Sequence, residues 1–332
     1  MAAVDTTRLL SGEPHSLLID PLRGIAEKPA PSERVIDPSC VDFAASGEGL
    51  RVWLRRTGLA RSALADPDDR RFAEREAERF WQSALSVAWP RAFWVNGPRV
   101  AREAERKARQ LRAAADMGWK IPRTLMSNEP ERIRAFVSTL GGRAVYKPFG
   151  PFNWEEQDAR LAVHAEVVTT DFLGDSAMLE AAPGIYQEVI EKVADVRVVV
   201  FGHCVVAAEV SAELPAGAID WKRVHPSWLT VAPVNLPAPV EDAVRRLMDS
   251  LDLRFGCLDL VRTAEGEWVF LEVNEAGQFL WLEEACPELP MLAHFCGLLW
   301  EADAGFSGAT QAFRRSLRLE RFLKPKREEA PA

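Results

Sequence analysis

The sequence predicts a mixed α/β protein of the α+β type, in which antiparallel strands are accompanied by helices. Runs rich in β-branched residues return on short turns, which is typical of β-hairpins, and several other segments carry apolar residues at helical spacing. A composition of 48% hydrophobic and 27% charged residues over 332 positions allows a buried core and more than one domain. The predicted hairpins pair Val196–Phe201 with Cys204–Val210, and Cys257–Arg262 with Trp268–Val273.

The first part of the chain predicts a small α/β unit. A charged helix is expected over Asp69–Leu85 and a strand over Ala92–Val95. A second helix is predicted over Arg99–Met117, because alanines and a leucine recur at helical spacing and Gly118 is a suitable stop.

The rest of the chain alternates between helices and strands. Helices are predicted over Asn128–Leu140, Val240–Leu251 and Pro290–Trp300, and further strands over Arg143–Pro148 and Ile185–Ile190. The segment Pro148–Trp154 is rich in glycine, proline and aromatic residues and is expected to form a loop. Such a loop would suit a flap over phosphates, although similar loops are common surface connections.

Three oxygen-bearing side chains converge in the second hairpin. If its turn is centred on Glu265-Gly266, Asp259 lies directly opposite Glu272, and Asn274 shares the face of Glu272 because side chains alternate along a strand. Carboxylate and amide oxygens are the hard ligands that Mg²⁺ takes together with waters and phosphate oxygens. The spacing alone leaves open an ordinary exposed face with polar residues.

Three cations lie where a positive charge needs an explanation. Lys147 ends a strand that is expected to be buried, where an ammonium group needs an anion. Arg197 interrupts a run of valines, so it either binds an anion or pairs with a carboxylate such as Asp195 or Glu209. Lys107 lies off the apolar stripe of its predicted helix, where a solvated side chain is the alternative to a ligand contact.

Charge and cysteine content exclude several classes of function. A net charge of −8 argues against general electrostatic binding to nucleic acid or to anionic lipid. The sequence shows neither a secretory signal nor an apolar run long enough to span a bilayer, so we expect a cytoplasmic protein. The five cysteines include no CxxC pair, and we assign them no chemistry.

Taken in order along the chain, the candidate residues resemble the ATP-grasp superfamily. The order runs through Lys107, Lys147, Gln187–Ile190, Asp195–Arg197, Asp259 and Glu272–Asn274. The sequence is most similar to the branch of ligases that mature microviridin-like ribosomal peptides (graspetides), and protein-glutamate ligases are more distant relatives. The segments that carry this resemblance, between Val52 and Leu299, are Val52–Arg56, Trp94–Asn96, Gln110-Leu111, Ile121–Leu125 and Phe270–Trp281.

The resemblance implies an ATP-grasp fold in which two α+β subdomains clasp ATP. The implied domains are an N-terminal pre-ATP-grasp-like domain over residues 1–98, a linker helix with the central subdomain over 99–190, the C-terminal subdomain over 191–313 and a basic tail over 314–332. ATP and Mg²⁺ are the implied cofactors. Relatives of this type often form dimers, so a homodimer is also expected.

The resemblance also implies a role for each candidate residue. Phosphates would be held by Lys107 and Lys147, the adenine edge by Gln187 and backbone groups of Glu188, Val189 and Ile190, and the ribose hydroxyls by Asp195. Mg²⁺ would be bound by Asp259, Glu272 and Asn274. Arg197 and Lys147 would be the catalytic residues, with Arg197 stabilising the charge that develops on the transferred phosphoryl group.

Two segments fit the family pattern less well, and the tail carries a separate resemblance. Asp220-Trp221-Lys222 stands where Asp-Trp-Arg is expected, and lysine lacks the bidentate fork of arginine, so substrate contacts at Asp220, Lys222 and Arg223 form a weaker prediction. The first 40 residues lack the alternating strands and helices of the family's opening domain. The tail Leu317–Leu323 resembles the short helical leader motif of microviridin precursors, and the alternative is a terminal helix that packs on its own domain.

Three functions follow from these observations. The first is an ATP-dependent ligase that works through an acyl phosphate and forms ester or amide crosslinks between side chains of a ribosomal precursor peptide with leader and core. The second keeps the same chemistry but adds a free amino acid or amine to a carboxylate of a peptide or a small molecule. The third, of another class, is a nucleotide-responsive binding protein without turnover.

Overall fold

The computed structural model of the chain describes residues 19–20, 24–25, 48–53, 62, 64–150, 153–156, 159–162, 165–212, 221 and 228–322. The chain divides into two compact units, one running up to Arg102 together with Leu299–Asp303, and one made of Glu103–Leu298 and the chain from Ala304 onwards. Among the described residues, no helix is long and apolar enough to cross a lipid bilayer. The domain boundaries expected after residues 98, 190 and 313 stay predictions.

The first unit combines a long helix with a pair of parallel strands. Its elements are β1 (Ile19–Asp20), β2 (Gly24–Ile25), β3 (Arg51–Trp53), helix α1 (Pro67–Val87) and β4 (Phe93–Val95), followed by helix α2 (Pro98–Ala104) at the boundary with the second unit. Helix α1 begins after Asp66, whose carboxylate accepts the N–H groups of Asp68 and Asp69. Strand β3 runs parallel to β4. The helix and the strand predicted in this part of the chain are confirmed.

The second unit begins with a helix and a four-stranded antiparallel sheet. Helix α3 (Lys107–Asp116) precedes β5 (Thr124–Ser127), helix α4 (Pro130–Thr139), β6 (Arg143–Lys147), a hairpin of β7 (Asn153–Glu156) and β8 (Ala159–Ala162), β9 (Glu166–Thr169), helix α5 (Ser176–Ala181) and β10 (Gly184–Gln187). The sheet order is β5-β10-β6-β9. Helix α4 covers this sheet because Ile133 and Val137, one turn apart, pack with Ala144 and Tyr186 in one core cluster.

A five-stranded antiparallel sheet forms the rest of the second unit. Its strands are β11 (Ala194–Phe201), β12 (Cys204–Ser211), β13 (Thr230–Pro233), β14 (Phe255–Arg262) and β15 (Trp268–Asn274), in the order β13-β12-β11-β14-β15. The helices are α6 (Ala238–Ser250), α7 (Leu280–Ala285), α8 (Met291–Glu301) and α9 (Gln311–Ser316), and Leu319–Arg321 forms a 3₁₀ turn. A cluster of four phenylalanines, with neighbouring ring centroids 5.2–5.7 Å apart, packs at one end of the sheet: Phe201, Phe255, Phe279 and Phe295.

Both predicted hairpins are present, but the second closes differently from the prediction. The N–H of Thr263 donates to the carbonyl of Glu267 at 3.0 Å, so the loop consists of residues 264–266 and is one residue longer than a turn centred on Glu265-Gly266. A β-bulge between Asp259 and Leu260 leaves one residue of β15 unpaired and shifts the register back. The predicted pairing of Asp259 with Glu272 is therefore confirmed, whereas the predicted turn is wrong.

The predicted helix over Arg99–Met117 is wrong as a single element. It divides into α2 and α3, because Arg106 has an extended backbone and serves as the N-cap of the second helix. The carbonyl of Ala104 accepts a hydrogen bond from the side chain of Gln110 at 2.5 Å. The break places Lys107 at the start of α3, where it is the first residue of a new helix.

Other strands differ in length or were not predicted. The strand expected over Ile185–Ile190 ends at Gln187, and residues 188–193 connect the two sheets instead. Strands β5, β9 and β13 were missed, because four residues with partial burial show too little alternation to be recognised. Strand β7 begins inside the segment predicted as a loop.

The end of the described chain packs on its own unit. Leu319 is buried, and its N–H donates to Glu283 Oε1 at 2.8 Å. The other oxygen of Glu283 accepts the N–H of Leu292 at 2.7 Å, so one buried carboxylate joins this segment to the start of α8. As far as Phe322, this packing agrees with the alternative in which the tail packs on its own domain and does not mimic a leader peptide.

Candidate functional site

Four charged side chains form a row across the outer three strands of the five-stranded sheet and an adjoining helix. Arg197 on β11 faces Asp259 on β14, and Asp259 faces Glu272 on β15. Lys107, on α3, approaches Glu272 from beyond the edge of the sheet. The sequence of charges is positive, negative, negative, positive, so the two central carboxylates each have a cation on their outer side.

Arg197 is held deep in this row. Its Nη1 donates to Asp259 Oδ1 at 2.6 Å and its Nη2 to the carbonyl of Gln278 at 3.3 Å, and only 5% of its surface is exposed. Its Nε has no hydrogen-bond partner within the described part of the chain. Burial alone would lower the pKa of the guanidinium, but the nearby Asp259, Cys257 and Glu272 raise it above its ordinary value. Arg197 is therefore a permanent cation, and its buried Nε–H group has no acceptor among the described residues.

The ion pairs that the sequence offered for Arg197 are wrong. Asp195 Oδ1 lies 2.7 Å from Lys192 Nζ, and Glu209 Oε2 lies 3.5 Å from Arg262 Nη2. The partner of Arg197 comes from a strand 62 residues further along the chain. The salt-bridge alternative was right in kind but named the wrong carboxylates.

Lys107 is not a solvated lysine. Its Nζ lies 2.7 Å from Glu272 Oε2, and about a quarter of its side chain is exposed. Because it is the first residue of α3, its position relative to the sheet is set by where that helix begins. Lys107 therefore contacts one of the residues that were predicted to bind the metal.

The predicted metal ligands lie on adjacent strands. Asp259 and Glu272 are opposite each other, and Asn274 lies two residues beyond Glu272, with the buried Val273 between them. Two carboxylates and an amide fit the ligand preferences of Mg²⁺, which usually keeps waters and phosphate oxygens as its other ligands. Within the described residues, no group of three His, Cys, Asp or Glu side chains that could hold a metal is found.

Gln110 contributes to the site in a way that sequence reasoning missed. Its side chain donates to the carbonyl of Val273 at 2.8 Å and accepts the N–H of the same residue at 3.0 Å. The only sequence signal was its place in one of the family-like segments. A polar residue in a helix gives no indication that its partner is a strand 163 residues away.

Gly277 lets a loop pack directly against Arg197. A Cβ at this position would lie 2.6 Å from Cys257 Cβ and 3.0 Å from Arg197 Nη2. The carbonyl of the next residue, Gln278, accepts hydrogen bonds from Arg197 and from the indole N–H of Trp281, both at 3.3 Å. The loop after β15 therefore needs glycine in order to hold the guanidinium.

Residues predicted to bind nucleotide are divided between the two sheets. Lys147 is the last residue of β6 and lies opposite Ile185 of β10. Gln187 is buried, and its amide donates to Thr124 Oγ1 at 3.0 Å. Asp195 stands near the start of β11, where its carboxylate accepts the bond from Lys192.

The connection between the sheets carries the residues predicted to bind adenine. The N–H of Glu188 donates to the carbonyl of Arg123 at 2.9 Å, so this peptide group is already occupied. Val189 and Ile190 follow in the same connection. By direct contact, the structure pairs Lys107 with Glu272 and Arg197 with Asp259.

The predicted substrate contacts can be followed only in part. Asp220, Lys222 and Arg223 lie outside the described residues. Trp221, which stands between them, packs against Trp281 with ring centroids 5.2 Å apart. Since Trp281 donates to the carbonyl that Arg197 also contacts, this aromatic pair adjoins the charged row.

Comparison with solved structures identifies the fold. The chain is similar to the macrocyclase MdnC of Microcystis aeruginosa MRC, solved with the precursor peptide MdnA, at 26% identity, a TM-score of 0.66 and coverage of 76% of this chain and 79% of that one. It is similar to a RiPP-associated ATP-grasp ligase of Chryseobacterium gregarium, solved with ADP and a leader and core peptide, at 26% identity, a TM-score of 0.68 and coverage of 78% and 79%. The macrocyclase MdnB of Microcystis aeruginosa MRC matches at 25% identity, a TM-score of 0.58 and coverage of 78% of each chain.

No protein-family model and no curated protein sequence matches the chain. The structural likeness nevertheless covers about three quarters of it. The predicted ATP-grasp fold is confirmed, and so is the predicted resemblance to ligases that mature ribosomal peptides.

Proposed function

We propose that this ATP-grasp ligase activates side-chain carboxylates of a ribosomally made precursor peptide and joins them to hydroxyl or amine groups of the same peptide. The observation that supports this best is the row of Arg197, Asp259, Glu272 and Lys107. Two adjacent carboxylates each held by a cation provide both a site for a divalent metal and positive groups for phosphate oxygens. Of the solved relatives named above, MdnC was captured with the precursor peptide MdnA, and the Chryseobacterium gregarium ligase with ADP and a leader and core peptide.

Within this proposal, Asp259, Glu272 and Asn274 hold Mg²⁺. When bound there, the ion would neutralise charge on the phosphates of ATP. Lys107 and Arg197 each contact one of these carboxylates, so both cations are already close to where phosphate oxygens would arrive. The unpartnered Nε of Arg197 fits an oxygen acceptor brought by the substrate.

The nucleotide would be bound by residues of both sheets. Lys147 at the end of β6 is assigned to the phosphates, and Asp195 to the ribose hydroxyls. Because the N–H of Glu188 is taken by Arg123, we assign the adenine edge to the remaining peptide groups of Glu188, Val189 and Ile190, next to the buried Gln187. For Asp195 this assignment requires Lys192 to share or release the carboxylate.

The reaction proceeds in two displacements. A carboxylate oxygen of the peptide attacks the γ-phosphorus of ATP, the bond to the β-γ bridging oxygen breaks, and ADP and an acyl phosphate are formed. A hydroxyl or amine then attacks the acyl carbon and loses its proton, and inorganic phosphate leaves. Little covalent work falls to protein side chains, so Arg197 and Lys147 act by positioning and by stabilising charge on the transferred group.

The peptide would approach from the side of Trp221 and Trp281. These rings offer an apolar surface beside Arg197, and Asp220, Lys222 and Arg223 flank Trp221 in the sequence. A lysine at position 222 would hold a carboxylate as a point charge instead of a bidentate fork.

Intact mass spectrometry of a precursor peptide, encoded beside this gene and incubated with the protein, ATP and Mg²⁺, tests the proposal. We expect losses of one water per crosslink, which disappear in Glu272→Gln and persist in Glu209→Gln, a half-exposed glutamate of the same sheet. A gain of mass would instead indicate addition of a free amino acid or amine. ATP binding without hydrolysis in the presence of several candidate peptides would indicate a binding protein and contradict the proposal.

A further inference from the structure

Gln110 is a buried amide that joins three segments of the second unit. Only 3% of it is exposed. Its Nε2 donates to the carbonyl of Ala104 at 2.5 Å and to that of Val273 at 2.8 Å, and its Oε1 accepts the N–H of Val273 at 3.0 Å. Both N–H donors of a primary amide are therefore in use, together with its acceptor.

The two bonds to Val273 close the open edge of the five-stranded sheet. Strand β15 is the last in its sheet, so its outward peptide groups need partners. Gln110 supplies both partners at Val273, and the carbonyl of Lys120 accepts the N–H of Phe270 at 2.9 Å further along the same edge. Val273 lies between Glu272 and Asn274, so the backbone that carries the two metal ligands predicted on β15 is fixed from this side.

Lys107 lies one turn before Gln110 on the same helix. Residues three apart in a helix share a side, and here both face β15, since Lys107 contacts Glu272 and Gln110 contacts the next residue. The bond from Gln110 to Ala104 also joins the first turn of α3 to the end of α2. The start of the helix is thereby held in register with the strand.

We propose that Gln110 is a positioning residue that sets the distance between Lys107 and the metal-binding edge of β15. Through this distance, Gln110 determines how strongly Lys107 binds the phosphates of ATP. This inference rests on the proposed function, because it assigns phosphate contact to Lys107. A purely structural amide would affect the stability of the unit alone. A positioning residue affects the affinity for phosphate more than the affinity for the nucleoside.

The test compares calorimetric binding of ATP with saturating Mg²⁺ to that of adenosine. In Gln110→Met, whose side chain has matching length and no hydrogen-bonding groups, we expect ATP affinity to fall about 10-fold, as for other residues that orient a ligand-binding group, while adenosine affinity is unchanged. Leu111→Ala is the matched control, because Leu111 is buried on the same helix and its loss should lower the Tm without changing the ratio of the two affinities. In a Lys107→Met background, Gln110→Met should cause no further loss.

The inference would be overturned by an equal loss of ATP and adenosine affinity, by the same change of ratio in Leu111→Ala, or by an undiminished effect in the Lys107→Met background. If Gln110→Met does not fold, Gln110→Glu keeps an oxygen for the N–H of Val273 and gives the same comparison. A wild-type protein that binds no ATP would remove the proposed function and this inference together. Normal ATP binding with an unaffected Gln110 variant would remove the inference alone.

Discussion

Arg197 and Lys107, the cations at the two ends of the charged row, differ in how firmly their side chains are held. The Arg197 side chain is 6% exposed, contacts both a carboxylate and a backbone carbonyl, and sits in the interior of the sheet. The Lys107 side chain is 25% exposed and lies at the first turn of a helix beside the sheet edge, with Glu272 at 2.7 Å. Arginine forms a rigid planar fork, whereas lysine is a point charge on a flexible stem. We propose from this comparison that Arg197 is a fixed cation for the reacting group and Lys107 an exchangeable one for the nucleotide.

The largest effect is expected at the fixed end. Arg197→Lys keeps the charge but loses the fork, so contact with both Asp259 and the carbonyl of Gln278 cannot be maintained. We expect kcat for ligation to fall about 10² to 10³-fold. Stopped assays of ADP release with saturating peptide measure this, with Arg262→Lys, a partly exposed arginine on the neighbouring strand, as the control. Equal rates in the two variants would contradict a special role for Arg197.

A smaller loss is expected at the exchangeable end. Lys107→Met removes the proposed contact to phosphate, so the KM for ATP should rise about 10-fold to 100-fold, on the scale that mutation of a site residue typically shows. Because the pair with Glu272 is partly exposed, the free energy of unfolding should change by less than about 1 kcal/mol. Lys120→Met removes an exposed lysine from a different ion pair and provides the control. A change in kcat with an unaltered KM for ATP would mean that Lys107 acts on the reacting group and would contradict its proposed role in nucleotide binding.

Gly277→Ala tests the packing that makes Arg197 immobile. The new methyl group would meet Cys257 and the guanidinium at distances below normal contact, so the loop or the arginine must shift. We expect a fall in kcat of about 10-fold and a loss of about 1 to 3 kcal/mol in unfolding free energy. Gly266→Ala is the comparison, since its positive φ makes alanine unfavourable there although no atom lies within 4 Å. If both variants retain full activity, the loop does not position the guanidinium.

The smallest effect on activity is expected from His294, which lies away from the row. Burial, aided by Arg314, lowers the pKa of His294 to about 4, and its Nδ1 accepts the N–H of Ala309 at 3.1 Å. Its folded pKa lies below its unfolded value of about 6.5, so the stability it contributes is fully present above pH 6.5 and is lost as the pH falls towards 4.

The free energy of unfolding, measured with urea, should therefore fall by about 2 kcal/mol between pH 7 and pH 5 because of His294. In His294→Gln this part of the pH dependence of the unfolding free energy should be absent, while ligation activity at pH 8 is retained. A wild-type protein with constant stability over this range would show that His294 is not buried in its neutral form.

The sequence predicted the local part of the site more accurately than its long-range part. The pairing of Asp259 with Glu272 followed from a hairpin, whose register depends on neighbouring residues, and even a wrong turn was compensated by the bulge. The partner of Arg197 was missed because strand β14 is inserted beside β11 from far along the chain. Alternation along one strand gives no information about which strand comes to lie next to it.

The helix that carries Lys107 shows the same limit. Helical spacing predicted one continuous element, and the break before Lys107 depends on the carbonyl of Ala104 and the backbone of Arg106, together with the distant Val273. The alternative of a solvated Lys107 was wrong for the same reason. Local pattern located each charged residue on its element, while tertiary contacts decided what each one faces.

The most direct test of the account is calorimetric titration of the protein with ATP, with and without Mg²⁺, in the wild type and in Glu272→Gln. Glu272 belongs to both halves of the proposed site, since it faces Asp259 and contacts Lys107. We predict that Mg²⁺ strengthens ATP binding at least about 10-fold in the wild type and has little effect in the variant. Mg²⁺-dependent ATP binding of equal strength in both proteins would contradict the account.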